Sequence, residues 1–89
     1  MDESVIDVVY LARLREAFGR GTERVTLDAR DGVTAADVIA GLRARGGVWA
    51  TELAVGRAFR IAINHTMASH DAPIRPGDEL ALFPPVTGG

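Results

Sequence analysis

Two short apolar runs stand near opposite ends of this chain, and neither shows the polar alternation of a strand with one wet face. Val5 to Ala12 reads Val-Ile-Asp-Val-Val-Tyr-Leu-Ala, apolar on both parities except at Asp7. Leu80-Ala81-Leu82-Phe83 repeats that character until Pro84-Pro85 stops it, because proline has no N–H to give a ladder. Runs of this kind fit strands buried on both faces. Both are therefore expected near the centre of one sheet.

The segments between them supply the rest of an α+β domain. Leu14 and Phe18 lie one helical turn apart before Gly19 and Gly21 interrupt. Thr22 to Leu27 sets Val25 and Leu27 against Glu23, Arg24 and Thr26, a strand pattern closed by Asp31-Gly32. With the first run it predicts a hairpin with a long connection. Thr34 is a plausible N-cap with Asp37 three residues on, and Ala35, Val38, Ile39 and Leu42 recur at helical spacing up to Gly46-Gly47. This is the one clear helix, with Val38 and Leu42 facing a sheet. Val48 to Gly56 has no clear period and reads as a connector, with Trp49 as a core anchor. Phe59 to Ile63 alternates, Thr66-Met67-Ala68 is a short segment between turns, and Pro73, Pro76 and Gly77 keep the next stretch irregular.

Composition narrows what such a domain can do. Its 89 residues make one core, expected over 1–83, and leave little room for a deep active site beside it. A formal net charge of −2 offers no electrostatic footprint for nucleic acid. No apolar run reaches the roughly 20 residues that span a bilayer, and the start Met1-Asp2-Glu3-Ser4 is acidic where a secretory signal is basic; a cytoplasmic location follows as an expectation. There is no cysteine, so side-chain thiol chemistry is excluded, and no lysine, so no side-chain amine is available. His65, His70 and Asp71 lack regular ligand spacing and read as solvated loop residues, with no metal. Arg13 and Arg15 read as solvated surface, and Asp78-Glu79 as charges that discourage edge-to-edge strand pairing.

The remaining candidate for chemistry is the C-terminus. From Leu80 to Gly89 no side chain is charged, so the terminal carboxylate is the only charge on the last ten residues. Extended at roughly 3.3–3.6 Å per residue, 84–89 can carry it about 20 Å from the body as a flexible tail, and Pro84-Pro85 stiffen its base. Gly88 and Gly89 lack a Cβ, so a channel can close around their backbone; the same features suit a frayed end. A carboxylate becomes an electrophile only when its oxygen is made a leaving group, which calls for ATP-dependent adenylation by another enzyme and then attack by a sulfur donor.

The segment Gly77-Asp78-Glu79-Leu80-Ala81-Leu82-Phe83-Pro84-Pro85-Val86-Thr87-Gly88-Gly89 resembles the C-terminal signature of the molybdopterin synthase small-subunit family. Val9 to Glu16 with Gly19, and Ile61-Ala62-Ile63-Asn64, resemble that family's first strand and helix and its middle strand. The resemblance implies a ubiquitin-like β-grasp fold, a mixed sheet packed against one main helix. It implies that Gly89 is adenylated by a ubiquitin-activating-type adenylyltransferase, with ATP used by that enzyme and no cofactor bound here, and is then thiocarboxylated from a sulfur donor. It implies further that Phe83, Pro84, Pro85, Val86, Thr87 and Gly88 meet the molybdopterin synthase large subunit. That subunit holds the catalytic pocket in a heterotetramer, and sulfur passes there to cyclic pyranopterin monophosphate in molybdenum cofactor biosynthesis. This chain would not be an enzyme on its own. The alternatives are a sulfur carrier of the thiamine type, a ubiquitin-like protein modifier, and a binding module with an inert terminus; Pro84-Pro85-Val86 favours the molybdopterin branch.

Overall fold

The computed structural model describes residues 4–27 and 32–85. Five strands form one mixed sheet: β1 (Val5–Tyr10), β2 (Thr22–Thr26), β3 (Arg60–Ile63), β4 (Thr66–Ala68) and β5 (Glu79–Phe83), ordered β2-β1-β5-β3-β4. The two terminal apolar runs thus lie side by side and parallel, Val8 beside Leu80 and Tyr10 beside Leu82. β2 pairs antiparallel with β1, and β3 antiparallel with both β4 and β5, so the expected hairpin is present. Three helices complete the domain: α1 (Ala12–Phe18), α2 (Ala35–Arg43) and α3 (Gly47–Glu52).

One apolar core joins helices and sheet. Ile6, Val8, Tyr10, Ile61, Leu80 and Leu82 line one face of the sheet, and Leu14, Val38, Ile39, Leu42 and Leu53 pack onto it. Each fully buried large apolar side chain contributes about 1.5–3 kcal/mol relative to exposure. Among the described residues no polar or charged residue is buried in that core. β1 departs from its expected burial on both faces. Ile6, Val8 and Tyr10 are buried, whereas Val5 and Val9 are only partly covered and Asp7 is exposed, because the helices occupy one side of the sheet. β5 is apolar and buried across Leu80, Ala81 and Leu82, as its pattern predicts.

The helix ends follow local chemistry. Thr34 and Asp37 form a capping box, the Asp37 N–H donating to Thr34 Oγ1 at 3.3 Å and the Thr34 N–H to Asp37 Oδ2 at 2.9 Å. α2 ends at Arg43, short of the Gly46-Gly47 pair. α1 ends on Gly19, whose φ of 71° is the left-handed conformation that glycine adopts without strain.

α3 corrects the connector reading. Six residues are too few to display a helical period, and tertiary contacts hold the turn: the Trp49 ring stacks on Phe18 with centroids 3.9 Å apart, and Arg43 Nε donates to the Leu53 carbonyl at 2.7 Å. Trp49 is the core anchor its size suggests.

Candidate functional site

The uncovered face of the sheet meets the base of the C-terminal segment. Side chains alternate across a strand, so the register that sends Leu80 and Leu82 into the core sends Ala81 and Phe83 to the other side. There Val9, Ala81, Ala62 and Met67 stand in one row across four strands. Met67 is 56% exposed, and the half-buried Phe83 lies opposite the exposed Arg60. Leu11 continues the outward parity of β1; its N–H donates to the Leu82 carbonyl at 3.1 Å and its side chain is 43% exposed. These residues make an apolar surface beside the end of β5, from which Pro84 and Pro85 leave half-buried.

The proposed site residues divide accordingly. Phe83, Pro84 and Pro85 stand at the edge of this surface. Val86, Thr87, Gly88 and Gly89 lie outside the described residues, as does Asp31 of the turn signal. The pattern of the last strand left open which parity faces outward; its neighbours in the sheet decide it. The row through Val9, Ala62 and Met67 had no signal in any one strand, because it exists only once four strands are in register.

Charged groups at the opposite end of β5 hold the sheet together. Asp78 Oδ2 accepts from the Arg75 N–H at 2.8 Å and Asp78 Oδ1 from Asn64 Nδ2 at 2.9 Å, while Asn64 Oδ1 accepts from the Glu79 N–H at 3.0 Å. Asp78 and Glu79 therefore do not guard an edge, since β5 is central and Asp78 caps a turn. Gly77 makes that turn at a φ of 89° and donates its N–H to the Val5 carbonyl at 2.8 Å. His65 stands 3.7 Å from Glu79, and His70 packs against Phe59. Arg13 is exposed, as its solvated reading expects, and from there pairs with Glu52 of α3 at 3.3 Å.

A second cluster lies on the covered face. The Tyr10 hydroxyl donates to Glu23 Oε2 at 2.5 Å, and Arg45 and Arg20 reach the same carboxylate at 2.8 and 3.2 Å. Burial alone would raise the Glu23 pKa, but the hydrogen bonds from Arg45 and Tyr10 and the charges of both arginines outweigh it and hold Glu23 below its ordinary value. Burial and the hydrogen bond to Glu23 push the Tyr10 phenol far up. Arg45 also lies 4.4 Å over the Trp49 ring. This cluster ties β1 and β2 to α3 and to the turn that follows α2, and holds no free nucleophile.

Residues 8–89 match the ThiS family. The chain belongs to that family. Two relatives within reach of it are the molybdopterin synthase sulfur carrier subunits of Escherichia coli, 38% identical over 85 residues, and of Haemophilus influenzae, 36% identical over 85 residues. Each alignment covers 96% of this chain and 100% of the relative. Among solved structures, SAMP1 from Haloferax volcanii superposes with a TM-score of 0.74 at 27% identity, over 96% of this chain and 99% of that one. The ThiS-family chain thus has the ubiquitin-like β-grasp fold that its terminal motifs imply. Among the described residues no helix is long and apolar enough to cross a membrane.

Proposed function

We propose that this chain is the sulfur-carrier subunit of molybdopterin synthase, acting through Gly89. The observation that carries the reading is the course of β5. The central strand ends beside an open apolar surface and leads directly into Pro84-Pro85-Val86-Thr87-Gly88-Gly89. A body with a docking face and an uncharged arm suits delivery of a group to a pocket on another protein; the body itself need hold no reactive side chain. The full-length likeness to carrier subunits supports the same assignment.

The chemistry proceeds in balanced steps. The Gly89 carboxylate attacks the α-phosphorus of ATP on a ubiquitin-activating-type adenylyltransferase, forming an acyl-adenylate and releasing pyrophosphate. A donor supplying sulfur at the sulfide level then attacks the acyl carbon, AMP leaves with the acyl oxygen, and loss of the S–H proton gives a thiocarboxylate. The tail (84–89) enters the large subunit, with Phe83 to Gly88 lining its path. There the thiocarboxylate sulfur bonds to carbon of cyclic pyranopterin monophosphate as an oxygen substituent leaves, and water then cleaves the acyl–sulfur bond, leaving sulfur on the acceptor and Gly89 as a carboxylate. The working assembly is a cytoplasmic heterotetramer, with catalysis in the large subunit.

Intact mass tests this reading. Co-expressed with its activating enzyme and sulfur donor, the native-ended chain is expected to gain the difference between sulfur and oxygen at Gly89, and a chain with one residue added after Gly89 is not. An unchanged mass beside a demonstrably active enzyme sinks the proposal. The modifier reading is favoured by one observation, the likeness to SAMP1, one of the small archaeal modifier proteins. It predicts isopeptide-linked conjugates on lysines of other proteins in the same cells.

A further inference from the structure

Strand parity places Asp7, Arg24, Arg60 and Glu79 on the open face of the sheet, since their neighbours Ile6, Val25, Ile61 and Leu80 pack into the core. Asp7 and Arg24 approach each other at 3.5 Å, and Glu79 lies 3.7 Å from His65. Arg60 differs. It is exposed, and among the described residues no carboxylate comes within ion-pair distance of it and no side-chain hydrogen bond is made to it.

Its place along the strands sets it apart as well. Asp7 is in register with both Glu79 and Arg24, whereas Arg60 is in register with Phe83. Phe83 lies four positions beyond Glu79 on β5, roughly 13 Å at the rise of a strand. The carboxylates of this face therefore gather at one end of it. Arg60 stands at the other, where β5 runs into Pro84 and Pro85.

Directly opposed residues on antiparallel strands have Cβ atoms about 4.5–5.5 Å apart, so a partner that seats Phe83 also covers Arg60. Arginine keeps its charge under all ordinary conditions. Taking that charge out of water with no counter-charge strongly opposes binding. A backbone carbonyl could accept its hydrogen bonds but would leave the charge uncompensated; a carboxylate answers both, through two parallel N–H···O bonds. The face thus asks for apolar contact at Leu11 and Phe83, and for an anionic group at Arg60.

We propose that Arg60 is a specificity-determining residue of the docking face, receiving a carboxylate of the large subunit beside the Phe83 contact. The inference rests on the carrier reading above, in which that subunit takes the arm. Phe83 supplies a contact that any apolar pocket could match. Arg60 discriminates, because a partner lacking the carboxylate leaves the guanidinium covered and unpaired.

The test is the Kd of the full native-ended chain for its cognate large subunit, measured by titration calorimetry. Arg60→Leu is expected to weaken binding about thirtyfold or more, as truncation of a covered charge pair does. Arg60→Glu is expected to bind more weakly still, and Arg60→Lys, which keeps the charge without the planar fork, between Arg60→Leu and the parent. Each aspartate and glutamate of the large subunit is then changed in turn to alanine. One such change is expected to weaken binding of the parent chain and to cost Arg60→Leu little further, so that the two changes are coupled. The Arg60 variants are expected to melt with the parent, since the side chain is exposed. The proposal is overturned if Arg60→Leu binds as tightly as the parent, if Arg60→Glu binds no more weakly than Arg60→Leu, if no carboxylate couples to Arg60, or if the variants melt well below the parent. Phe83→Ala separates this proposal from the reading beneath it. Should that change weaken binding while Arg60→Leu does not, the docking face stands and only the role of Arg60 falls. A parent chain that does not bind the large subunit at all ends both, and the mass of Gly89 then reports whether carrier chemistry survives on its own.

Discussion

The two faces of the sheet are built from the same strands and do opposite work. On the covered face, Leu80 and Leu82 are wholly buried among branched and aromatic side chains. On the open face, Ala81 and Ala62 are small, and the larger Val9, Phe83 and Met67 remain partly or mostly exposed. Burial on the first face stabilises the fold; apolar area left on the second is available to a partner. Substitutions on the two faces should therefore separate stability from association.

The largest effect is expected from Leu80→Ala. It leaves a cavity in the core beneath the helices and should cost about 2–5 kcal/mol in urea or thermal unfolding; a loss below about 1 kcal/mol would break the distinction from the open side. Phe83→Ala is the mirror test. If the proposed large-subunit partner meets Phe83, the change should weaken that binding by about 2 kcal/mol, as loss of aromatic anchors commonly does, with a smaller loss of stability than Leu80→Ala. Tyr10→Phe removes a hydrogen bond to a charged acceptor and should cost about 1.5–3 kcal/mol of stability, with binding unchanged.

The same cluster sets a pH dependence. The Glu23 pKa is lowered in the folded state, so its contribution is fully present above the ordinary value of 4.5 and is lost as pH falls through the folded value. The stability gap between the parent chain and Glu23→Gln should narrow below about pH 4.5, measured by denaturant titration at successive pH values. The smallest effect belongs to Met67→Thr, within about 0.5 kcal/mol, since that side chain is 56% exposed.

Much of this was readable from the chain. Two-faced apolar runs placed β1 and β5 centrally, and Thr34 with Asp37 marked the start of α2, because those signals are local. Tertiary features were not readable. α3 owes its form to Trp49 on Phe18 and to Arg43 reaching Leu53, residues from separate segments. Asp78 and Glu79 looked like edge charges until β5 proved to have neighbours on both sides. The terminal motif singles out Phe83, Pro84 and Pro85 as candidates, but the surface they border combines β1, β3, β4 and β5 and has no signal in any one segment.

The place of β5 between β1 and β3 also bears on mechanical force. A partner that grips the arm beyond Phe83 and pulls does so along the axis of β5. The bonds to β1 on one side and β3 on the other run across that axis. They are loaded in shear and must yield together, whereas a strand peeled from an edge gives up its bonds one at a time. On the proposed carrier role, a body anchored in this way would stay folded while its arm is drawn into a partner's channel and withdrawn.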